Sequence, residues 1–110
     1  MTNLKDDKYY SEKVLEHIEK IDAYVGSKSY EEFISDQSSV DATMFRLIQV
    51  VENIKRLTME FKASMPNINW ANITGFRNRI VHEYGETDYR VVYSVATVDC
   101  AQLKLELSLL

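Results

Sequence analysis

Apolar residues recur every three or four positions over most of the chain, and this spacing is typical of amphipathic helices. In the first such stretch, Tyr9 to Val25, charged residues fill the positions between the apolar ones. The apolar positions are Val14, Ile18, Ile21 and Val25. We therefore predict a first helix that buries this stripe and ends at Gly26.

A helix-starting motif follows directly. Ser29 and Glu32 form an S-x-x-E capping box, in which each side chain can bond the free backbone amide of the other residue. A short second helix should therefore begin at Tyr30. Phe33 and Ile34 are its predicted anchors in the core.

The longest predicted helix runs from about Ser39 to Met65. Pro66 should end it, because the residue before a proline is pushed out of the helical region. Its apolar stripe consists of Met44, Leu47, Ile48, Val51, Ile54, Leu57 and Phe61.

Two more helices are predicted in the second half. The fourth runs from Trp70 to Tyr84 and ends at Gly85, with Ile73, Phe76, Ile80 and Val81 directed inward. The segment VVYSVATV is rich in β-branched residues and could form a strand, but a lone strand would have no partner. We predict a fifth helix there instead, from Tyr89 to about Leu107, capped by Asp88. Its inward face would hold Val91, Val95, Val98, Gln102 and Leu105.

Composition supports this helical assignment. Three glycines and one proline in 110 residues are too few for the turns of an all-β chain. The prediction is an all-α fold, an up-and-down bundle of four to five helices forming a single domain over residues 1–110. The N-terminus is charged and no apolar run is long enough for a membrane span, so we expect a cytoplasmic protein without membrane association.

The stretch GFRNRIVHEYG, residues 75–85, concentrates cationic and polar groups in a chain whose formal charge is −4. Arg77 offers a planar fork suited to two phosphate oxygens, and Asn78 adds donors beside it. His82 lies in the predicted last helical turn, where the helix dipole should raise its pKa. Tyr84 adds an aromatic face and a hydroxyl. These groups suit RNA cleavage through attack by the ribose 2′-hydroxyl.

The spacing within this motif bears on assembly. At about 100° per residue, Arg77 and His82 point roughly 140° away from each other on a regular helix. A second copy of the chain could bring its own pair alongside, so we favour a twofold homodimer with the site at its seam. The chain has no zinc-ligand spacing, glycine-rich phosphate loop or G-x-S-x-G, so metal-dependent hydrolysis is disfavoured and no metal or cofactor is predicted.

The pattern R-N-x-x-x-H-x-Y, from Arg77 to Tyr84, resembles the signature of the HEPN superfamily, specifically of the HepT-like ribonuclease toxins of type VII toxin–antitoxin systems. The similarity extends through HIEKIDAYVGSKSYEEFISD and VENIKRLTMEFKASMPNINWANITGFRNRIVHEYGETDYRVV, including a Pro-x-x-x-Trp connector. One departure is VVEN at residues 50–53, where relatives often have G-E-A, which replaces a small-residue contact by a bulkier one.

The resemblance implies an all-α homodimer that cleaves RNA without metal at a cleft between protomers, with tRNA and mRNA as candidate substrates. It implies that Arg77 and His82 are the catalytic pair and that Asn78 supports them. It also implies a partner, an MntA-like minimal nucleotidyltransferase antitoxin that transfers AMP to Tyr84. Added phosphates there would occupy the charges meant for RNA.

Other interpretations remain open from the sequence. The chain could be a noncatalytic helical partner that binds nucleotide or substrate for a nucleotidyltransferase, which the acidic net charge favours, or a purely structural dimer module. Among single residues, Arg79 is predicted to pair with Glu83 on the surface, and His17 to be a solvated surface residue. The single cysteine, Cys100, should be a buried apolar residue, and Trp70 should pack in the core or an interface.

Overall fold

The computed structural model describes residues 6–80 and 86–110, and these ranges consist of helices and the segments that join them. The predicted all-α bundle is confirmed. The helices are α1 (Asp7–Val25), α2 (Tyr30–Ile34), α3 (Gln37–Ile54), α4 (Met59–Ala63), α5 (Trp70–Thr74), α6 (Phe76–Ile80), α7 (Tyr89–Ser94) and α8 (Cys100–Ser108), with a π-helical turn (Val95–Asp99) joining α7 to α8. None of these helices is both long enough and apolar enough to cross a membrane.

Helices α1 and α3 pack against each other in opposite directions. Asp7 at the start of α1 is hydrogen bonded to Thr58, which lies just beyond the end of α3. The predicted apolar stripe of α1 is fully buried in this contact, and each such side chain contributes about 1.5–3 kcal/mol of burial free energy. Its members are Val14, Ile18, Ile21 and Val25.

The continuous helix formed by α7, the π turn and α8 also runs antiparallel to α1. Near its start, the Tyr93 hydroxyl donates to the carbonyl of Lys28, just after the end of α1 (2.7 Å). Farther along, Lys104 Nζ lies 2.8 Å from the Asp22 carboxylate. The three long helices thus enclose one core, which α5 and α6 complete.

The predicted starts and stops of the first two helices are confirmed. Gly26 follows α1 with a φ of 54°, a conformation that glycine adopts without strain. The capping box at α2 is complete: Ser29 N donates to Glu32 Oε1 (2.8 Å), and Glu32 N donates to Ser29 Oγ (3.1 Å). Phe33 is buried as expected, whereas Ile34 is 39% exposed.

The prediction of a single long third helix from Ser39 to Met65 is wrong. The observed helix α3 begins at Gln37 and ends at Ile54, and a separate short helix, α4, begins after Thr58. The chain turns at this point because Thr58 caps α4, its hydroxyl accepting from Phe61 N (3.1 Å). The predicted stripe is still largely correct, since Leu47, Val51, Ile54 and Leu57 are buried and Met44, Ile48 and Phe61 pack against the core.

Within residues 70–80, the described part of the predicted fourth helix, the helix is interrupted at one position. Gly75 separates α5 from α6, and a Cβ at this position would lie 3.0 Å from the carbonyl oxygen of Ala71. The inward residues Ile73, Phe76 and Ile80 are buried as predicted. The predicted inward Val81 and the terminating Gly85 lie outside the described residues.

The fifth helix has the predicted extent and cap, and its predicted inward face is correct up to Val95 but wrong beyond it. Asp88 caps it through Arg90 N (3.1 Å) and Val91 N (3.3 Å). Val95 is buried and Val91 packs against the core as predicted, whereas Val98, Gln102 and Leu105 are exposed. The buried residues of this helix are Val92, Val95, Ala96, Cys100, Leu103 and Leu107. The predicted face fails from Val98 onward because of the π turn, where Cys100 N bonds the carbonyl of Val95 and the helix is locally wider than an α-helix.

Two single-residue predictions have different outcomes. Cys100 is buried as predicted, and this burial together with the neighbouring carboxylates raises the pKa of its thiol to about 12. The prediction of a solvated His17 is wrong. Its ring is half-buried and its Nδ1 lies 3.1 Å from a guanidinium nitrogen of Arg46, and burial followed by the charge of Arg46 lowers the pKa of His17.

Candidate active site

The helix before the motif is fixed by side-chain contacts with its own start and with α4. Asn69 caps α5, its side-chain oxygen accepting from Asn72 N (3.0 Å). Trp70 is half-buried against the core, as predicted, and its indole N–H donates to the carbonyl of Lys62 (2.9 Å). This bond holds α5 against the end of α4.

Helix α6 presents three polar side chains to solvent because its two apolar residues pack one face of the helix against the core. Phe76 and Ile80 are buried, four positions apart on one helical face. The residues between them, Arg77, Asn78 and Arg79, are therefore exposed. The packing of α6 thus turns the first half of the motif toward solvent.

Arg77 and Asn78 line one open cleft of about 650 Å³, together with Lys55 and Thr74. Thr74 is oriented by its own helix, its hydroxyl donating to the carbonyl of Trp70 (2.9 Å). Among the described residues, neither the Arg77 guanidinium nor the Asn78 amide has a side-chain hydrogen bond or ion pair. Both groups are therefore available to a ligand in the cleft.

Lys55 is a cleft residue that the sequence analysis did not single out. It follows the last residue of α3 and is exposed, and its ammonium lies 3.5 Å from the Glu52 carboxylate. Nothing in the sequence near Lys55 signals a site, because Lys55 comes to the same cleft as Arg77 through tertiary packing, which places α3 against α5 and α5 against α6. Its position depends on the early end of α3.

Arg79 points to a different set of groups. It donates to the carbonyl oxygen of Asn72 (3.1 Å), and its charge also acts on Asp99. The Asn72 amide in turn donates to Asp99 (2.8 Å), which ties α5 to the π turn. Burial raises the pKa of Asp99, while Arg79 and the Asn72 bond oppose that rise. The predicted Arg79–Glu83 pair involves a residue outside the described ranges.

The second half of the motif also lies outside the described residues, and with it the predicted site residues His82 and Tyr84. A hydrogen bond joins the described residues before and after that segment: Asp88 N donates to the carbonyl of Ile80 (2.6 Å). The start of α7 is therefore held against the end of α6.

The described part of the site is suited to binding a polyanion. A guanidinium, an ammonium and an amide can all donate to phosphate oxygens, and the cleft that they line includes no carboxylate residue among those described. Within residues 6–80 and 86–110, no three His, Cys, Asp or Glu side chains are grouped so that they could hold a metal ion.

Comparison with known proteins relates the chain to ribonucleases. Residues 14–110 match the family model described as "Ribonuclease HepT-like". The chain is 28% identical to "Probable ribonuclease HepT" of Thermococcus cleftensis, over 91% of both chains. It is 27% identical to a protein of Caldanaerobacter subterraneus subsp. tengcongensis named "Putative RNase", over 92% of this chain and 90% of that protein.

A third relative is larger. The chain is 31% identical to "Gamma-glutamylcyclotransferase and putative RNase" of Methanocaldococcus jannaschii, over 94% of this chain but only 46% of that protein. The chain therefore spans about half the length of this relative. No solved structure matches the chain. Because the family model covers nearly all of the helical bundle and the whole of the motif, the chain belongs to the HepT-like family of ribonucleases.

Proposed function

We propose that the chain is a metal-independent endoribonuclease, the toxin of a HepT/MntA-like toxin–antitoxin pair, acting in the cytoplasm. The observation that carries the proposal is Arg77, an exposed guanidinium with no partner among the described residues, in a cleft that it shares with Asn78. Membership of a ribonuclease family supports RNA as the substrate. The relatives named as ribonucleases support the same substrate class.

In the proposed reaction, His82 takes the proton of a ribose 2′-hydroxyl, and that oxygen attacks the adjacent phosphorus. The bond from phosphorus to the 5′-oxygen breaks, and the leaving oxygen receives a proton. The products are a 2′,3′-cyclic phosphate and a free 5′-hydroxyl. Arg77 stabilises the charge that develops on the phosphate oxygens, and Asn78 donates a further hydrogen bond beside it.

We further propose that the working enzyme is a homodimer with its site between protomers. The predicted directions of Arg77 and His82, about 140° apart on a regular helix, support a second chain that completes the site. Regulation would come from an MntA-like nucleotidyltransferase partner. The Tyr84 hydroxyl would attack the α-phosphorus of ATP and release pyrophosphate. The phosphate of the attached AMP would then pair with the cationic side chains that otherwise bind RNA.

The test is cleavage of RNA by the purified chain in EDTA. Arg77→Ala and His82→Ala should each abolish cleavage while leaving the thermal unfolding temperature close to that of the parent protein. Arg79→Gln is the matched control, because Arg79 belongs to the same helix and is exposed but bonds the carbonyl of Asn72. It should retain most of the activity. Full activity of His82→Ala would remove its assigned role, and loss of cleavage in EDTA with recovery on adding Mg²⁺ would refute the metal-independent mechanism.

The alternative function is a noncatalytic partner that binds nucleotide or substrate for a nucleotidyltransferase. The same unpaired Arg77 favours it as well, because a guanidinium binds nucleotide phosphates as readily as RNA phosphates. This function predicts nucleotide binding without RNA cleavage, even after any AMP has been removed from Tyr84. The cleavage assay and a nucleotide-binding titration on the same preparation separate the two functions.

A further inference from the structure

The cleft at α6 contains a second cation that the motif does not account for. Lys55 lies 22 positions before Arg77, yet both residues line the same opening. The volume of about 650 Å³ is in the range of pockets that hold a whole small-molecule ligand, roughly 300–1,000 Å³, and so exceeds what one phosphate group needs. Room for more than one group of a bound strand is therefore present.

The charges at this opening differ from those of the chain as a whole. The formal charge of the protein is −4, but the described lining of the cleft consists of two cations and two neutral polar residues. The ammonium of Lys55 lies 3.5 Å from the carboxylate of Glu52, which is not among the described lining residues. That pair is half-exposed, so it contributes little stability and the ammonium can leave it for a stronger acceptor.

We propose that Lys55 forms a phosphate-binding subsite for RNA, distinct from the position held by Arg77, and that it binds a phosphate next to the one that is cleaved. The inference rests on the proposed function, since it takes RNA as the ligand. Glu52 holds the Lys55 side chain at the mouth of the cleft when RNA is absent. The two cations together set a minimum substrate length, because a strand with only one phosphate cannot occupy both.

The test measures binding apart from cleavage, with 2′-O-methyl oligonucleotides that cannot react. The parent protein, Lys55→Gln and Lys55→Arg are titrated with a dinucleoside monophosphate and with a tetranucleotide carrying three phosphodiesters. Lys13→Gln is the matched control, because Lys13 pairs with Glu16 at the same 3.5 Å and the same helical spacing but lies on α1, away from the cleft.

We expect Lys55→Gln to weaken tetranucleotide binding by about fivefold at low salt and to reduce the slope of log affinity against log salt by about 0.7. Binding of the dinucleoside monophosphate should not change, Lys55→Arg should preserve most of the tetranucleotide affinity, and Lys13→Gln should match the parent protein. The subsite would be overturned if Lys13→Gln and Lys55→Gln lost the same affinity, or if Lys55→Gln lost the same affinity for both ligands. Failure of the parent protein to bind either ligand would overturn it as well.

The proposed function is tested independently of this result. Cleavage of unmodified RNA by the parent protein and by His82→Ala reports on catalysis, whereas the methylated ligands report only on binding. If Lys55→Gln binds the tetranucleotide as well as the parent protein does, and the parent protein cleaves RNA, only the subsite proposal is refuted. If Lys55→Gln binds the tetranucleotide more weakly but the parent protein does not cleave RNA, the binding site stands and the ribonuclease proposal is refuted.

Discussion

Both carboxylate oxygens of Asp7 accept hydrogen bonds from Thr58: one from its backbone N–H (2.8 Å) and one from its hydroxyl (2.7 Å). The same hydroxyl caps α4 by accepting from Phe61 N (3.1 Å). One side chain therefore holds the start of α1 against the turn after α3. Helix α3 ends at this turn, and Lys55, the residue after its last one, lines the cleft.

Replacing Thr58 by valine should lower the free energy of unfolding by about 1–2 kcal/mol, because the cap and one bond to Asp7 are lost together. Urea denaturation measures the change. Thr97→Val is the control, since among the described residues the Thr97 hydroxyl bonds only the carbonyl of Tyr93 in its own helix. It should change stability by less than about 0.5 kcal/mol. Equal losses in the two variants would show that the Asp7 contact does not stabilise the fold.

Thr43 should respond in the opposite direction. Its hydroxyl is completely buried on α3 and has no hydrogen-bond partner among the described residues. Thr43→Val removes an unsatisfied polar group at nearly constant volume, so we expect stability to rise by about 1 kcal/mol. The same denaturation experiment measures it. A loss of stability would mean that the hydroxyl is bonded in solution.

The two histidines should titrate on opposite sides of pH 6.5. Burial and then the charge of Arg46 lower the pKa of His17, whereas the predicted helix end should raise that of His82. Proton NMR of the two imidazoles resolves both titrations, and His17→Gln assigns the signals. A single shared midpoint near 6.5 would contradict both assignments.

His17 should also make stability depend on pH. Because its pKa is lower in the folded than in the unfolded protein, the unfolded chain binds more protons at pH values below 6.5. The stabilising contribution is therefore complete above pH 6.5 and is lost as the pH falls through the folded value. His17→Gln should remove this part of the pH dependence. Denaturation at several pH values, compared between the variant and the parent protein, measures it.

Mixing two inactive variants tests the proposed site between protomers. If Arg77 of one chain works with His82 of the other, a mixed dimer of Arg77→Ala and His82→Ala contains one intact site. Random exchange of equal amounts should then restore about a quarter of the parent activity. Unmixed variants provide the baseline. No recovery, with subunit exchange verified by mass, would place both groups of each site on one chain.

Sequence reasoning succeeded where structure follows from neighbouring residues. The stripe of α1 depends only on spacing, and the start of α2 depends on Ser29 and Glu32, three positions apart. The exposure of Arg77 and Asn78 follows in the same way from the buried Phe76 and Ile80 beside them. These are local relationships, and the sequence displays them directly.

It failed where a distant residue decides the outcome. The end of α3 involves Asp7, 51 positions away from Thr58, and no pattern within the third helix shows that contact. Lys55 joins the cleft for the same kind of reason, since it comes to the cleft of Arg77 through the tertiary packing that places α3 against α5. The predicted face of the last helix was wrong from Val98 onward because regular α-helical spacing does not anticipate the π turn.

The π turn also decides where this helix tolerates a change of length. It holds one residue more than an α turn, so deleting one codon within Val95–Asp99 would let the segment relax to regular α geometry with Leu103 and Leu107 still on the core face. Deleting Gln102, in the regular helix α8, would instead turn every later side chain by about 100° about the axis and take Leu103 and Leu107 out of the core.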